Sequence, residues 1–260
     1  MVTKIKELIP TCLEPVIVRL WYFLRPLLKL IFYGYNKYCP VCDSWIRYFL
    51  PHGPSSERRK DAICPVCLCH ERHRLSWIFI NSCTDLKDGR SKRLLHFAPE
   101  PEFARRFKNI QGVDYLSADL VSPHATERMD ITDIRCSEGS FDVVYCCHLL
   151  EHVVDDRKAM SEIFRVLKPE GWALIQVPIS EVETIEDPSI TDPVVRQRLF
   201  GLSDHVRLYG IDIKDRLAAS GFDVEVIFED QVVPKLQDRR RMSTSGIRNN
   251  PLFLCRKPTV

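Results

Sequence analysis

The stretch that most constrains the fold is FDVVYCCHLLEHVVDD, residues 141–156. Its apolar run from Val143 to Cys147 predicts a strand buried on both faces, as in a parallel sheet. A helical pattern follows, with Lys168–Gly171 as its expected end, and a second apolar run covers Trp172–Val177. Strand–helix–strand units of this kind build parallel sheets with a right-handed crossover. The sequence therefore predicts an α/β fold.

Polar side chains crowd the end of the first of these strands. His148, Glu151 and His152 come directly after the apolar run. In open α/β sheets, ligands bind at the carboxyl ends of the strands. We therefore expect chemistry at these three residues.

The same stretch carries a family resemblance. FDVVYCCHLLEHVVDD, followed by EIFRVLKPEGWALIQVP, resembles the fourth- and fifth-strand motifs of class I S-adenosylmethionine-dependent methyltransferases, in particular those of methyltransferase type 11. The resemblance extends over roughly residues 92–256. It implies a Rossmann-like, seven-stranded, mostly parallel sheet with helices on both faces, and S-adenosylmethionine as cofactor.

Length and pattern divide the 260 residues into three parts. The chain is long enough for one medium α/β domain and a small module. We predict an N-terminal helical segment (1–38), a zinc-ribbon-like module (39–75) and a class I methyltransferase domain (76–260). The apolar fraction of 45% is ordinary for a protein with a core, and the net charge of +2 excludes little.

The N-terminal segment is apolar and aromatic but interrupted by charge. Arg19, Arg25 and Lys29 divide it, and we expect Pro26 to break it. It holds no uncharged stretch of the roughly 20 residues that a bilayer crossing needs. Two interpretations stay open: residues 12–35 lie on a membrane surface, or they pack as helices on protein.

Two near-identical cysteine pairs predict a metal site. Cys39-Pro-Val-Cys42 and Cys64-Pro-Val-Cys67 each place two thiolates on one tight turn, and two such turns complete a tetrahedral site. We predict structural Zn²⁺, with iron as the alternative. Cys69 follows the second pair and is expected to lie beside the site rather than bind the metal.

The eleven cysteines also bear on the compartment. They fall into CxxC pairs and buried-looking strands, and no secretory signal precedes them. Metal-bound or packed thiols in a reducing cytoplasm are the expectation, with the protein either free there or peripheral on the cytoplasmic face of a membrane.

The first strand and its loop depart from the family pattern. In the family this strand ends in an acidic residue and a glycine-rich turn, whereas here the residues are His96-Phe-Ala-Pro-Glu100. The resemblance assigns His96, Ala98 and Glu100 to the cofactor. Ala98 is small enough for close approach, and Glu100 offers a carboxylate.

Three aspartates are further cofactor candidates. A carboxylate at the end of the second strand suits the two ribose hydroxyls because it accepts without donating. Asp114 and Asp119 compete for this role. By resemblance, Asp130 bonds the adenine amino group and Ile131 packs on the ring. A helix cap or a turn is the alternative role for each aspartate.

His148-Leu-Leu-Glu-His152 also matches the H-x-x-E-H motif of inverted zinc peptidases. That motif needs both histidines on one helix, whereas here the first follows a strand, which argues against a peptidase. In the methyltransferase interpretation, His148 lines the site near the sulfonium as a catalytic residue. Glu151 and His152 face the substrate, although His152 as a packed helix start stays open.

A second polar segment lies at residues 200–210. His205, Arg207 and Tyr209 alternate between glycines, so we expect a substrate-facing loop with Arg207 and Tyr209 binding the acceptor. His205 is the expected catalytic base because a hydroxyl acceptor must lose a proton and histidine titrates in the right range. An ordinary loop with a paired arginine is the alternative.

The family resemblance favours methylation of a sugar hydroxyl on a small molecule, nucleotide sugar or glycolipid. The first alternative is an RNA methyltransferase that holds RNA through the zinc module, although the aromatic and basic surface typical of RNA binding is missing from the sequence, which argues against nucleic acid. The second is a non-catalytic scaffold. Oligomer formation stays open.

Overall fold

The structure, a computed structural model, describes residues 14–53, 59–244 and 251–259. The predictions for residues 1–13, including the start of the proposed membrane segment, lie outside the described residues. The chain divides into two compact units. The described residues of the first unit are 14–53, 59–85, 100–106 and 229–244, and those of the second are 86–99, 107–228 and 251–259.

The helices, in chain order, are α1 (Glu14–Ile31), α2 (Glu71–Cys83), α3 (Pro101–Lys108), α4 (Asp156–Val166), α5 (Pro193–Phe200), α6 (Ile213–Ala219), α7 (Glu229–Val232) and α8 (Leu236–Met242). The strands are β1 (Tyr33–Cys39), β2 (Ser44–Ile46), β3 (Leu50–His52), β4 (Arg59–Ile63), β5 (Lys92–Phe97), β6 (Val113–Asp119), β7 (Glu127–Arg128), β8 (Phe141–Cys147), β9 (Leu167–Gln176), β10 (Ile179–Glu181), β11 (Ile185–Glu186), β12 (Arg207–Gly210), β13 (Asp223–Ile227) and β14 (Leu252–Arg256).

The second unit confirms the predicted fold class. Its main sheet has the strand order β13-β14-β9-β8-β5-β6-β7, and helices flank the sheet. Neighbouring strands are parallel except for β14, which runs antiparallel to both β13 and β9. Chain order reverses between β5 and β8, so the crevice for a ligand is expected at the carboxyl ends of these two strands.

The β8–α4–β9 unit is the strand–helix–strand motif that the sequence predicts. Helix α4 begins with Asp155 as its cap, whose side chain accepts a hydrogen bond from the backbone N–H of Lys158. Alternate residues of the strands meet the apolar face of the helix in one core. That core includes Leu95, Val144, Ala159, Ile163, Val166 and Ile175.

The end of α4 differs from the prediction. The helix stops at Val166, and residues 168–171, which we expected to end it, already belong to β9. Glu170 has a left-handed φ of 65° there, and the β8–β9 register shifts between Phe141 and Val143. A side chain at Gly171 would lie 3.0 Å from the carbonyl oxygen of Asp142, so glycine permits the close approach of the two strands.

The segment before β13 also differs from the prediction. Residues 207–210, predicted as part of a substrate-facing loop, form β12, which pairs in parallel with β10 and antiparallel with β11. Strand pairing satisfies their backbone groups. This small sheet sits beside the main one in the second unit.

The first unit contains the cysteine module. Strands β1 and β2 form a hairpin with Cys39 opposite Ser44, and β3 pairs with β4. Residues 229–244 also belong to this unit, although we predicted them within the methyltransferase domain. Lys37 of β1 contacts this segment, because its ammonium group donates a hydrogen bond to the carbonyl oxygen of Arg240.

Helix α1 continues through Pro26, which we expected to break it. Trp21 donates to the carbonyl of Val66 at 3.0 Å, and Arg25 binds both carboxylate oxygens of Glu102 at 3.1 Å. These contacts hold one side of the helix to the first unit. Within the described chain, no helix combines the length and the apolar character that a membrane crossing requires.

Candidate cofactor and metal sites

The carboxyl ends of the parallel strands bring several candidate residues to one edge of the second unit. Ala98 follows β5, Asp119 ends β6, Asp130 follows β7 and His148 follows β8. The carboxyl ends of neighbouring parallel strands lie at the same edge of a sheet. The order of the strands thus assembles a set of residues that are far apart in sequence.

Two of these residues have unusual backbones. Ala98 has φ 49° and His148 has φ 52°, both in the left-handed region that favours glycine. The Ala98 N–H donates to the Ala118 carbonyl at 3.0 Å, and the His148 N–H donates to the Gln176 carbonyl at 2.7 Å. Such strain on neighbouring strand ends is typical of functional sites. Ala98 therefore makes a left-handed turn directly after β5, where the sequence lacks glycine.

The structure separates the two competing aspartates by the length of a strand. Asp119 lies at the carboxyl end of β6, and its Oδ1 accepts hydrogen bonds from the N–H groups of Val121 at 2.8 Å and Ser122 at 2.7 Å. Asp114 lies near the opposite end, where it pairs with Arg93 at 3.0 Å. Asp114 is therefore a surface ion-pair residue, because its end of the strand lies away from the ligand edge.

Asp130 and Ile131 follow β7. Oδ1 of Asp130 accepts from the N–H and the hydroxyl of Thr132, both at 2.8 Å, so that oxygen stabilises a turn. Ile131 is buried in the core of the unit. The aspartate thus has the turn role that we left open, and the isoleucine packs inward.

His96 is a core residue. It is fully buried within β5, its Nδ1 lies 2.9 Å from the hydroxyl of Tyr115, and its ring meets those of Phe107 and Tyr145 edge-on. These contacts place it among aromatic side chains in the body of the sheet. The position of His96 therefore does not support its assignment to the cofactor.

Glu100 belongs to the first unit. Its Oε1 lies 3.2 Å from Nε2 of His73, a buried residue of α2. This carboxylate thus has an ion-pair partner that the sequence resemblance did not indicate. The assignment of Glu100 to the cofactor stays a prediction.

Glu151, His152 and His205 come together in the second unit. One ligand atom from each lies within 4.8 Å of the others, and the two histidine rings meet edge-on with centroids 4.7 Å apart. Glu151 is 1% exposed. Burial raises its pKa, but the neighbouring His148, at 3.2 Å, outweighs burial and leaves the pKa below its ordinary value.

The structure gives Arg207 a different role from the predicted substrate contact. Its guanidinium is buried and donates to Glu186 at 2.9 Å, to the carbonyl of Leu150 at 3.0 Å, to the carbonyl of Val153 and to that of Val154 at 2.8 Å. It thus holds the turn that carries Glu151 and His152. The arginine is a positioning residue, the paired alternative that we had left open.

Tyr209 is likewise buried. Its hydroxyl donates to Asp156 at 2.7 Å, and burial together with that carboxylate raises the tyrosine pKa far above its ordinary value. Arg216 donates to the same carboxylate at 3.2 Å. Tyr209 therefore belongs to an internal polar network and not to a substrate surface.

The first unit brings five thiols together. The sulfur atoms of Cys39 and Cys67 are 3.8 Å apart, and those of Cys42 and Cys64 are 3.7 Å apart. A zinc–sulfur distance of about 2.3 Å sets the sulfur–sulfur distance of a tetrahedral site at about 3.8 Å. These two distances, each joining a thiol of the first CxxC pair to a thiol of the second, have the spacing that one tetrahedral metal needs.

Cys69 lies closer to the cluster than the sequence indicates. Its sulfur is 3.3 Å from that of Cys39, and Cys39, Cys64, Cys67 and Cys69 also form a mutually close group. The N–H of Cys64 donates to the Cys69 carbonyl at 2.9 Å, and this tight turn folds the fifth thiol back. The signal in the sequence was the extension of CPVC to CPVCLC.

The thiols differ in their readiness to ionise. Burial opposes ionisation of Cys39, but hydrogen bonds from neighbouring thiols, Cys42 first, outweigh it and lower the pKa to about 5. The pKa of Cys64 is also lowered. Burial and neighbouring thiols raise the pKa values of Cys67 and Cys69. Metal ligation requires thiolates, and two are favoured here before a metal binds.

Comparison with known proteins concerns the second unit. Residues 95–175 match the family model described as a methyltransferase domain. No curated protein is significantly similar to the chain in sequence. The match covers β5 to most of β9, the strands whose ends carry the candidate residues.

Solved structures show the same fold. The YcgJ protein from Bacillus subtilis is 17% identical, with a TM-score of 0.50, and the similarity covers 72% of this chain and 100% of that one. A more distant similarity, with a TM-score of 0.47, is to the 1,6-didemethyltoxoflavin-N1-methyltransferase of Burkholderia thailandensis, at 15% identity over 73% of this chain and 79% of that one. The first of these similarities and the matched family model agree with a Rossmann-like methyltransferase fold for the second unit.

Proposed function

We propose that the protein is an S-adenosylmethionine-dependent methyltransferase whose cofactor binds at the carboxyl edge of the second unit. The observation that carries the proposal is the sheet order, with its reversal between β5 and β8 and a carboxylate at the end of β6. The match of residues 95–175 to the methyltransferase domain supports it. The sheet order alone would not identify the activity, because one fold serves many functions.

The residues present fit the cofactor. The left-handed turn at Ala98 lets the chain double back after β5, where a small side chain leaves room for the cofactor's backbone contacts. Asp119 retains acceptor capacity for the ribose hydroxyls, because its two backbone bonds use Oδ1. The bound cofactor supplies the electrophilic methyl group, and the protein positions the acceptor for in-line transfer.

Asp119 and Asp114 form a matched pair for testing this site. Saturation with S-adenosylhomocysteine at 100 times Kd stabilises a folded protein by about 2.7 kcal/mol. At about 2–4 °C per kcal/mol this raises Tm by roughly 5–11 °C. We expect Asp114→Asn to keep the shift and Asp119→Asn to lose most of it. Equal shifts in both variants would place the ribose carboxylate elsewhere.

We propose a sugar hydroxyl as the acceptor, on a small molecule, nucleotide sugar or glycolipid. Support comes from the sequence resemblance and from the cluster of Glu151, His152 and His205 at the same edge, a polar set suited to a hydroxyl. The test is transfer of a labelled methyl group to a panel of nucleotide sugars, glycolipids and RNA. Labelling of RNA alone would favour the alternative substrate, and cofactor binding without any product would favour the scaffold.

We further propose that Cys39, Cys42, Cys64 and Cys67 bind one structural Zn²⁺. The donor set fits, because four thiolates suit zinc and the 3.7 and 3.8 Å sulfur pairs have tetrahedral spacing. A filled set of four ligands leaves no open position, so the role is to hold the two turns of the first unit together. Metal analysis of the purified protein should give one zinc per chain.

For the N-terminal segment we propose contact with a membrane surface. Helix α1 exposes an apolar stripe at helical spacing, with Phe23 at 80% and Leu30 at 74% exposure, and Lys29 beside it. The assay is sedimentation with vesicles that contain phosphatidylserine. The double variant Phe23→Ser, Leu30→Ser should lose binding, whereas Val194→Ser, which removes an exposed apolar side chain from the second unit, should keep it. No binding by the unaltered chain would exclude this role.

A further inference from the structure

Glu151, His152 and His205 form a cluster that the methyltransferase fold does not require. The three side chains come from the turn after β8 and from the segment before β12. One ligand atom of each lies within 4.8 Å of the other two. Two imidazoles and one carboxylate form a recurrent ligand set for transition metals in proteins.

Both histidines are oriented as metal ligands are. Nδ1 of His205 lies 2.8 Å from the carbonyl oxygen of Phe200, and Nδ1 of His152 lies 3.2 Å from Oδ2 of Asp204. A carbonyl and a carboxylate accept hydrogen bonds, so each Nδ1 donates its proton, and Nε2 is the ring atom left to bind a metal. Metal-binding histidines almost always donate their other ring N–H in this way, which fixes the tautomer.

The carboxylate gives the second independent observation. Glu151 is 1% exposed, and within the described chain its Oε2 has no hydrogen-bond partner. Its Oε1 has an ion-pair contact with Nδ1 of His148 at 3.2 Å. A buried carboxylate with an unpartnered oxygen is costly unless a cation compensates its charge.

We propose that Glu151, His152 and His205 bind a divalent transition metal of the zinc, iron or cobalt class. Metal–ligand distances of about 2.0–2.2 Å would bring the three ligand atoms to roughly 3.0–3.5 Å from one another, which side-chain rotations within the observed 4.8 Å can supply. Three protein ligands leave open coordination positions. The site is therefore of the open, catalytic type, unlike the closed cysteine site.

The open positions suit an oxygen of the methyl acceptor. A bound cation would lower the pKa of a coordinated hydroxyl group, so that its proton passes to solvent water before transfer; the O–CH3 bond would then form as the S–CH3 bond breaks, with the electron pair left on the sulfur of S-adenosylhomocysteine. This use of the metal rests on the proposed function, whereas binding of the metal rests only on the three side chains. His205 then acts through Nε2 as a ligand and not as the base that the sequence predicted.

The test uses the full chain with zinc already in the cysteine site, dialysed against Co²⁺. We expect one bound Co²⁺ per chain in addition to the zinc, with visible absorption bands that lack thiolate charge transfer. Glu151→Gln keeps the size of the side chain and should weaken Co²⁺ binding at least tenfold. Glu127→Gln, on the exposed β7 strand, is the matched control and should bind as the unaltered chain does.

Two results would overturn the site. One is the absence of bound Co²⁺ beyond the cysteine site in the unaltered chain, and the other is equal Co²⁺ binding by Glu151→Gln. Circular dichroism shows whether each variant is folded, and His205→Gln provides a second test at a different element. S-adenosylhomocysteine binding is measured on the same samples. Binding of Co²⁺ without binding of S-adenosylhomocysteine refutes the proposed function alone. Binding of S-adenosylhomocysteine without binding of Co²⁺ refutes the metal site alone.

Discussion

Replacing Arg207 separates a positioning role from a substrate-binding role. The sequence predicted that this arginine faces the acceptor, whereas in the structure it is buried and donates to Glu186 and to the carbonyls of Leu150, Val153 and Val154. Those carbonyls belong to the turn that carries the Glu151–His152 pair. Arg207→Met should therefore destabilise the turn and with it the candidate site.

The expected loss of stability depends on whether water can replace each hydrogen bond that Arg207 makes. Val154 is exposed and Val153 half-buried, so water can replace the bonds to their carbonyls. Leu150 is fully buried, and its carbonyl keeps the N–H of Val153 at 3.2 Å but loses the bond from the charged guanidinium, at a cost of about 1.5–3 kcal/mol. The partly exposed Glu186 contact adds under about 1 kcal/mol after solvent screening. The total is about 1.5–4 kcal/mol, which lowers Tm by roughly 3–16 °C.

The assay combines scanning calorimetry with hydrogen exchange of the peptide that covers residues 148–156. We expect a lower Tm and faster exchange in that peptide for Arg207→Met. Arg157→Met, an exposed substitution on α4, is the control and should change neither. If Arg207→Met unfolds and exchanges like the unaltered chain but requires more acceptor for half-maximal activity, the positioning role is wrong and the substrate contact is restored.

Three further predictions concern stability and metal content. Arg74 is fully buried and donates to four backbone carbonyls of the first unit. Arg74→Met should therefore lower the free energy of unfolding, measured by denaturant titration, by about 3–5 kcal/mol. A loss under about 1 kcal/mol would contradict this. Hydrogen bonding from Arg165 holds the pKa of Glu162 below its ordinary value of 4.5, so this ion pair stabilises the fold fully above about pH 4.5 and loses its effect as pH falls. Glu162→Gln should lower the free energy of unfolding by about 1–2 kcal/mol at pH 7 and should weaken the dependence of stability on pH below 4.5. An unchanged pH dependence in the variant would refute this. Cys42→Ser should lose zinc while Cys69→Ser keeps one per chain by metal analysis, and the reverse pattern would make Cys69 the ligand.

Much of the second unit could be predicted because its signals are local. The apolar run at Val143–Cys147, the helix after it and the next run at Trp172–Val177 each show in a short window, and β8, α4 and β9 confirm them. Boundaries were less certain where tertiary pairing decides them. Residues 168–171 joined β9 because Leu167 and Trp172, on either side of them, pair with Phe141 and Val143 of β8, which no local pattern indicates.

Side-chain roles depended on contacts across long stretches of chain. Polar residues at two-residue spacing predicted a surface for Arg207 and Tyr209, but partners more than 50 residues away bury both. The choice between Asp114 and Asp119 needed the strand bounds, since one end of β6 faces the ligand edge and the other does not. His96 met its aromatic neighbours only through the pairing of β5 with β6 and β8.

The metal chemistry divides in the same way. The CPVC pairs are local motifs, so the sequence alone placed Cys39, Cys42, Cys64 and Cys67 together. The turn that returns Cys69 to Cys39 is a tertiary detail. The cluster of Glu151, His152 and His205 joins two elements separated by more than 50 residues, and the sequence indicated its members individually but not their meeting.

The central claim is that the second unit binds S-adenosylmethionine despite the missing glycines after β5. The most direct measurement is calorimetric titration of the zinc-replete full chain with S-adenosylhomocysteine. We expect one binding site per chain with a dissociation constant in the micromolar range, about −8 kcal/mol. A folded protein that shows no binding heat at several temperatures and no thermal stabilisation at millimolar ligand would contradict it.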